Sequence, residues 1–414
     1  MKGISLHGRA FTALNAFASA ILFSCQVSCS HLPEADSFAA PQMGSVEVVE
    51  AGAFSLELKC ELEGPGNIAE IENGAFENGS SATEYGFYLE REGLAEVLTV
   101  NGKICSIAEE YGSGAKAAAT GYTIVATATG LSSGTEYNCT AFARNGEYEA
   151  LSGSMKVKTA EPFKDENFKA YALANFDADR DGGISQNEAY AVDTIKVVTV
   201  NIADLSGIEI FPNLYYLYCA GISEDKFKFD AGLEGALTAL DVSKNTKLNY
   251  LSCGHNRITE LNLQNNGLLR YLDCNNTLIT ALDLSNNKNI ENLEAHDCNR
   301  LTDIKFAQGG NIRSIFMCNC NLMQVDITML PYIDSFNCSY SQHLETLDFS
   351  ANRYMKVLGV AGLPLLKELD LSHNEFLGDL DCDWCQSLET VWLHKDAKLY
   401  RVVKQEHTKL VYKQ

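Results

Sequence analysis

The most regular pattern in the chain is a repeat of apolar positions from residue 195 to the end. An apolar residue returns every 21 or 22 positions in two parallel series, apart from an insertion near 222–236. Alternating apolar positions form a short strand, and one such repeat cannot bury its own apolar face. The pattern therefore predicts a solenoid of about eight turns, with strand-like segments on both faces. The first series is Leu217, Leu251, Leu272, Leu293, Ile315, Phe336, Leu358 and Leu380, and the second is Leu240, Leu261, Leu282, Ile304, Val325, Leu347, Leu369 and Val391.

Residues 43–160 show a different pattern, short runs in which apolar and polar residues alternate. Examples are Phe54–Cys60 and Tyr137–Arg144, separated from other runs by turn-forming clusters. About seven such strands in a segment of this length predict a β-sandwich. Within it, Leu131–Tyr137 resembles the tyrosine corner of fibronectin type III and immunoglobulin-like domains, where the tyrosine hydroxyl bonds to the backbone. We expect this domain to act as a spacer.

The acidic run from Asp177 to Glu188 matches the EF-hand loop at its diagnostic positions. Carboxylates at alternate positions, a glycine at the sharp turn and a closing glutamate suit Ca²⁺, which accepts six to eight oxygen ligands. Helical patterns flank the loop within residues 161–194, over 165–176 and 187–193. A single loop favours a structural role at the domain junction over signalling. The expected calcium ligands are Asp177, Asp179, Asp181, Gly183 through its carbonyl, Ser185 and Glu188.

The N-terminus predicts export. Residues 1–24 combine a positive start with an apolar stretch too short to span a bilayer, as in signal peptides. The stretch ends in Leu22–Cys25, which resembles a bacterial lipobox and makes Cys25 the expected lipidation site. Residues 25–42 would form a lipidated tether. Ordinary cleavage near Ser28 or Ser30, which gives a secreted protein, is the alternative.

The net charge limits the classes of binding partner, and the cysteine positions bear on whether disulfides are expected. The 414 residues carry 54 acidic and 32 basic side chains, a formal net charge of −22. This excludes nucleic acid, whose phosphates require clustered Lys and Arg, and disfavours anionic lipid headgroups. Of the 14 cysteines, several share the inward position next to the first series, where small core residues fit without a disulfide framework. These are Cys219, Cys253, Cys274, Cys338 and Cys382. Two alternatives stay open for Cys60 and Cys139, a disulfide or buried thiols, and Cys105 has no evident partner.

Two sets of outward positions are candidate ligand contacts. Tyr216, Tyr250 and Tyr271 align beside the first series, and exposed aromatic residues are enriched at binding sites. They are also good strand formers, which is the alternative interpretation. Beside the second series an aspartate column would offer an acidic face for a basic partner or bridging cations, unless each carboxylate bonds to its own backbone. Its candidate members are Asp283, Asp326, Asp348 and Asp370.

Enzymatic motifs are lacking. The sequence has no Gly-rich phosphate loop, no His-Glu-x-x-His and no Gly-x-Ser-x-Gly. Cys382 and Cys385 have the spacing of a redox pair, but Cys382 falls at an inward position and no helix start is predicted to activate it. We expect a non-enzymatic protein.

The repeat unit Leu-x-x-Leu-x-Leu/Cys-x-x-Asn, as in Leu248–Asn256, is the leucine-rich repeat pattern. Residues 195–414 resemble the cysteine-containing repeats of Bacteroidetes surface lipoproteins and, more distantly, internalin repeats, although residues 298–345 depart from the consensus. The order of parts is also similar. The resemblance implies a mainly β fold and a monomeric binding protein anchored by lipid at the bacterial cell surface or outer membrane. Its partner would be an extracellular protein, as for an adhesin, or alternatively a glycan, and a structural envelope role is a further alternative.

Overall fold

The computed structural model describes residues 42–64, 84–92, 97–106, 122–145, 148–222 and 234–413. The predicted signal peptide and Cys25 lie outside these residues. None of the helices in the described segments has the length and apolar character needed to cross a membrane.

Nine N-terminal strands form two antiparallel sheets. One sheet has the order β1-β2-β6-β5, and the other has the order β4-β3-β7-β8, with β9 pairing to the first half of β7. The strands are β1 (Gln42–Ala51), β2 (Ser55–Gly64), β3 (Glu84–Glu90), β4 (Val97–Asn101), β5 (Lys103–Ser106), β6 (Tyr122–Thr129), β7 (Glu136–Asn145), β8 (Tyr148–Leu151) and β9 (Met155–Lys158).

The two sheets share one buried core because alternate residues of each strand point inward. Leu58 of β2, Phe87 of β3 and Cys139 of β7 are fully buried in it. The hydroxyl of Tyr137 accepts a hydrogen bond of 2.9 Å from the amide of Ser132, the bond expected of a tyrosine corner. Cys60 and Cys139 are fully buried thiols, and neither forms a disulfide. Burial, with the nearby Cys60, raises the pKa of Cys139 to about 12.

Two helices follow, α1 (Glu166–Phe176) and α2 (Gln186–Ala191). Asp165 caps α1 by accepting hydrogen bonds from the amides of Asn167 and Phe168. Ser185 and Glu188 form a capping box that starts α2 one residue earlier than predicted, and α2 ends before Val192. Phe168 and Ala189 are fully buried in the same apolar cluster as the repeats. The helices therefore cover the first turn of the solenoid.

The repeats form a parallel sheet of ten strands, called here the long sheet. Residues of the first apolar series pair directly with one another, as Leu251 does with Leu217 and Leu272, and they are at most 1% exposed. Along the chain, the 3₁₀ helices Thr199–Asn201 and Ile208–Ile210 come between its first two strands. In order, the strands are β10 (Thr194–Lys196), β11 (Tyr216–Tyr218), β12 (Tyr250–Ser252), β13 (Tyr271–Asp273), β15 (Asn292–Glu294), β17 (Ser314–Phe316), β18 (Ser335–Asn337), β19 (Val357–Gly359), β21 (Asp379–Cys382) and β23 (Arg401–Lys404).

The second face is less regular. Val325 and Leu347, at the positions between its two groups of strands, are only half-buried and lie outside its named strands. The C-terminal tail contributes β23 and β24, one closing strand to each face. The second-face strands are β14 (Ala281–Leu284) with β16 (Asp303–Phe306), and β20 (Glu368–Leu371) with β22 (Thr390–His394) and β24 (Lys409–Lys413). The predicted solenoid with strands on both faces is confirmed, but the long sheet has ten strands where about eight turns were predicted, because β10 and β23 add one strand at each end.

A ladder of buried asparagines joins successive turns at one bend. The Asn287 carboxamide nitrogen donates to the carbonyls of Leu263 at 3.0 Å and Asn266 at 2.9 Å. Each such amide satisfies two backbone acceptors that would otherwise be buried without partners. Gly310 and Leu330 hold the corresponding positions in the turns that depart from the consensus, and neither has a side-chain amide. The ladder consists of Asn245, Asn266, Asn287, Asn352 and Asn374.

Two columns of cysteines run inside the solenoid. Every cysteine among the described residues is a free thiol, and the five that share the inward position are fully buried. A second column lies at the next bend, where each thiol donates to a carbonyl of the preceding turn. The distances are 3.2 Å from Cys298 to Cys274, 3.1 Å from Cys320 to Ala295 and 3.0 Å from Cys385 to Val360. Cysteine therefore serves here as a small core residue and as a weak backbone donor.

Candidate functional site

The acidic loop between α1 and α2 is folded around its own carboxylates. Oxygens of Asp177, Asp179 and Glu188 lie within 4.8 Å of one another. Asp177 accepts hydrogen bonds from the amides of Asp181 at 3.0 Å and Gly182 at 2.9 Å, which closes the turn. Gly182 has a φ of 85°, a conformation that favours glycine. Partial desolvation, with the nearby carboxylates of Asp181 and Glu188, raises the pKa of Asp179.

Asp181 points out of this cluster, unlike the other predicted carboxylate ligands. Its side chain forms an ion pair with Arg91, and a second nitrogen of Arg91 donates to the Asp181 backbone carbonyl. The hydroxyl of Ser132 also donates to Asp181, at 3.0 Å. Both members of the pair are largely buried, with side chains 16% and 12% exposed. Asp181 therefore ties the loop to the N-terminal sheets.

The backbone of the acidic loop pairs with the segment just before β7. Ser133 donates its amide to the Ile184 carbonyl at 2.9 Å, and Ser132 and Ser185 form an antiparallel bridge. A Cβ on Gly183 would lie 2.7 Å from the hydroxyl oxygen of Thr135, so the close approach requires glycine. Ser185 and Glu188 are meanwhile bonded to each other in the capping box. The acidic loop is therefore held by backbone pairing with the segment before β7.

The three predicted tyrosines stack along the long sheet. Ring centroids are 4.0 Å apart for Tyr216 and Tyr250 and 4.4 Å apart for Tyr250 and Tyr271, with the planes within 8° of parallel. The Nζ atom of Lys196 lies 4.9 Å from the Tyr216 ring centre. Direct pairing of the strands places equivalent side chains one above another, and the half-buried rings present their edges outward. We call these residues the tyrosine stack.

The predicted aspartates lie on the second face, so the structure does not bring them together with the tyrosine stack. All four are exposed, and each accepts a hydrogen bond from the amide two residues later, at 2.8–3.0 Å. Local bonding to the backbone, the alternative interpretation, accounts for aspartate at these positions. Asp370 also bonds Lys413 at 2.6 Å. Although partial desolvation of the carboxylate opposes it, hydrogen bonding to Lys413 and Ser372 lowers the Asp370 pKa to about 2. These residues are Asp283, Asp326, Asp348 and Asp370.

Arg91 and Ser132 are site residues that the sequence analysis missed. They lie 90 and 49 positions from Asp181 in the sequence, just after β3 and in the loop before β7, and no motif links them to the acidic loop. The only sign of this contact in the nearby sequence is Gly183, a glycine that the EF-hand motif does not require at that position.

Comparison with known proteins gives only partial similarities. Neither the models of known families nor the curated proteins contain a match. Among solved structures, the functional domain of InlJ from Listeria monocytogenes, described as including a cysteine ladder, is 22% identical. That similarity has a TM-score of 0.30 and covers 60% of this chain and 70% of InlJ.

Two further Listeria monocytogenes proteins are similar to a comparable extent. The internalin InlF is 15% identical with a TM-score of 0.36, over 61% of this chain and 92% of that one. Internalin C2 is 14% identical with a TM-score of 0.38, over 59% and 95%. Similarities of this size define neither a ligand nor an activity.

Proposed function

We propose that this chain is a non-enzymatic, lipid-anchored surface protein whose leucine-rich solenoid binds an extracellular protein, as in adhesion. Cys25 would carry the lipid, at the bacterial cell surface or outer membrane. The N-terminal sheets would form a fibronectin III-like spacer, and the acidic loop an EF-hand-like calcium site at the junction.

The observation that carries this proposal is the long sheet with its tyrosine stack. Ten directly paired strands hold outward side chains in straight columns, so a partner would meet a surface that is already ordered. Stacking restricts the rings of Tyr216, Tyr250 and Tyr271 in the same way. Tyrosine is enriched at the centres of protein interfaces because it contributes a large contact area at low entropic cost.

Array binding tests this function. Purified residues 30–414 are applied with Ca²⁺ to extracellular-matrix protein arrays and to glycan arrays. The proposal expects saturable binding to one or more matrix proteins. Binding to glycans alone would overturn the protein-adhesin assignment, and binding to neither array would favour a structural envelope role.

The acidic loop fits a calcium ion by its donor set. All of the side chains that converge there offer oxygen, which hard cations prefer, and three carboxylates would share the positive charge. Asp177, Asp179 and Glu188 would hold the ion together with Ser185 and the Gly183 carbonyl. The predicted sixth ligand, Asp181, would have to exchange Arg91 for the ion.

We expect Ca²⁺ to raise the melting temperature of residues 30–414. An ion that binds only the folded loop adds about 2.7 kcal/mol at one hundred times its dissociation constant. Differential scanning calorimetry in Ca²⁺ and in chelator measures the shift. Asp177→Ala should abolish it, and Asp326→Ala, which removes an exposed carboxylate outside the loop, should leave it unchanged. An unshifted parent protein would refute the site.

A further inference from the structure

A row of left-handed backbone positions follows the strands of the long sheet, one position per turn. In this row the amides from His255 to Gly362 each donate to a carbonyl of the next turn, as Tyr340 does to Ala361 and Gly362 does to Asp383, both at 2.7 Å, whereas the Trp384 amide donates to the Asp383 carboxylate at 2.9 Å. The side chains are therefore arranged in a line with a step of about 5 Å. The row consists of His255, Asn276, Asp297, Asn319, Tyr340, Gly362 and Trp384.

Two residues of this row are of types that rarely adopt its left-handed backbone conformation. Histidine, asparagine, aspartate and glycine tolerate a positive φ, whereas bulky aromatic residues rarely adopt one. Tyr340 and Trp384 nevertheless have φ values of 64° and 59°. Their side chains are 49% and 65% exposed, so core packing does not explain them. Strained positions of this kind are typical of functional sites.

Gly362 lies between these two aromatic residues and leaves room for one of them. A Cβ at Gly362 would fall 2.5 Å from the Tyr340 ring, which shows that this ring lies across the glycine, on the side of Trp384. Tyr340 and Trp384 are two turns apart, about 10 Å along the solenoid. We call Tyr340, Gly362 and Trp384 the aromatic ledge.

A cleft of about 650 Å³ with a mixed polar and apolar lining lies beside Tyr340, the ledge residue that lines it. Side-chain amides and a hydroxyl supply both hydrogen-bond donors and acceptors there. The small residue Ala361 keeps the cleft open next to Tyr340. The described residues that line it include no lysine or arginine. The polar lining includes Asn319, Asn337, Ser339 and Gln342.

The two carboxylates of the cleft already have partners. Asp297 bonds His296 at 2.7 Å and accepts from Asn319 at 2.8 Å. Asp381 accepts from Arg401 at 3.2 Å. These contacts reduce the need for a cationic ligand, and the lack of lysine and arginine in the described lining disfavours an anionic one. The chemistry of the cleft suits a neutral ligand with many hydroxyl groups.

We propose that the cleft and the aromatic ledge bind a neutral saccharide chain that spans two turns of the solenoid. Sugar C–H faces would stack on Tyr340 and Trp384, while ring hydroxyls would exchange hydrogen bonds with the amides of the cleft. This site goes beyond the proposed protein-binding face, because the tyrosine stack lies on other strands, β11 to β13.

Calorimetric titration of residues 30–414 with cellohexaose, xylohexaose, mannohexaose and maltohexaose tests the site. We expect at least one of these neutral hexasaccharides to bind. Trp384→Asn and Tyr340→Asn should each weaken that binding by about tenfold or more, since asparagine keeps the left-handed backbone and removes only the ring. Tyr400→Ala is the matched control. Tyr400 is likewise an exposed aromatic residue, 76% exposed, but it lies just before its strand, β23, whereas Tyr340 and Trp384 come after theirs.

Three results would overturn the saccharide site. These are no binding by any of the four sugars, unchanged binding after Trp384→Asn and Tyr340→Asn, or binding of a lysine-rich peptide that Trp384→Asn abolishes while the sugars stay unbound. Each would leave the proposed protein-binding function standing, since that function is tested on matrix proteins and the tyrosine stack.

Discussion

Replacing Phe336 with alanine lowers the free energy of unfolding of the solenoid by about 3–5 kcal/mol, the loss typical of a large buried side chain. Phe336 is fully buried in β18, near the middle of the long sheet, and pairs with Ile315 on one side and Leu358 on the other. Its ring also meets Phe349 edge to face, with the centroids 5.6 Å apart. Truncation leaves a cavity that neighbouring turns cannot fill, because their positions are fixed by strand pairing on both sides.

Urea unfolding followed by far-ultraviolet circular dichroism measures this loss. The control is Phe376→Ala, because Phe376 is 50% exposed and its truncation should change stability by no more than about 0.5 kcal/mol. Equal effects of the two substitutions would show that the column through Phe336 is not the core of the repeat.

Replacing Arg91 with methionine costs about 3–5 kcal/mol at the junction, because it leaves the buried carboxylate of Asp181 without its cation. Arg91 and Asp181 are the charged link between β3's sheet and the acidic loop, and Ser132 alone cannot neutralise the carboxylate. The cost should appear in chelator, where no other cation can compensate.

Arg144→Met is the matched control for Arg91→Met. Arg144 pairs with Glu84 in the same sheet, but the two side chains are 40% and 51% exposed, and such surface pairs contribute about 0–1 kcal/mol. Thermal unfolding in chelator compares the two variants. A loss at Arg91 no greater than that at Arg144 would contradict the assigned docking of the acidic loop.

The solenoid was predictable because its period appears directly in the sequence. Leu251 and Leu272 occupy the predicted column because only one register buries every apolar residue of a repeat. The irregular second face was not predicted. The departures from consensus over residues 298–345, which include Gly310 and Leu330 in place of asparagine, are visible in the sequence, but they did not show that Val325 would lie outside the second-face strands.

Contacts between distant segments were beyond the sequence analysis for a different reason. The acidic motif identified Asp181 from local spacing, whereas its actual partner Arg91 depends on how two parts of the chain dock. The row of left-handed positions was also missed. Tyr340 and Trp384 follow the spacing of the repeat, but the residue type varies along the row, so no sequence pattern marked it. The period of the repeat predicts the position of a side chain in the solenoid, whereas its contacts also depend on how distant segments of the chain pack together.

We propose that the long sheet recognises a protein through the tyrosine stack. The most direct test compares two triple variants of residues 30–414 on the extracellular-matrix protein array. One variant replaces Tyr216, Tyr250 and Tyr271 with serine, and the other replaces Asp283, Asp326 and Asp348 on the second face with serine. The claim predicts that the tyrosine variant loses about tenfold or more in affinity, about 1.4 kcal/mol, while the aspartate variant binds as the parent does. Unchanged binding by the tyrosine variant, or a loss confined to the aspartate variant, would contradict it.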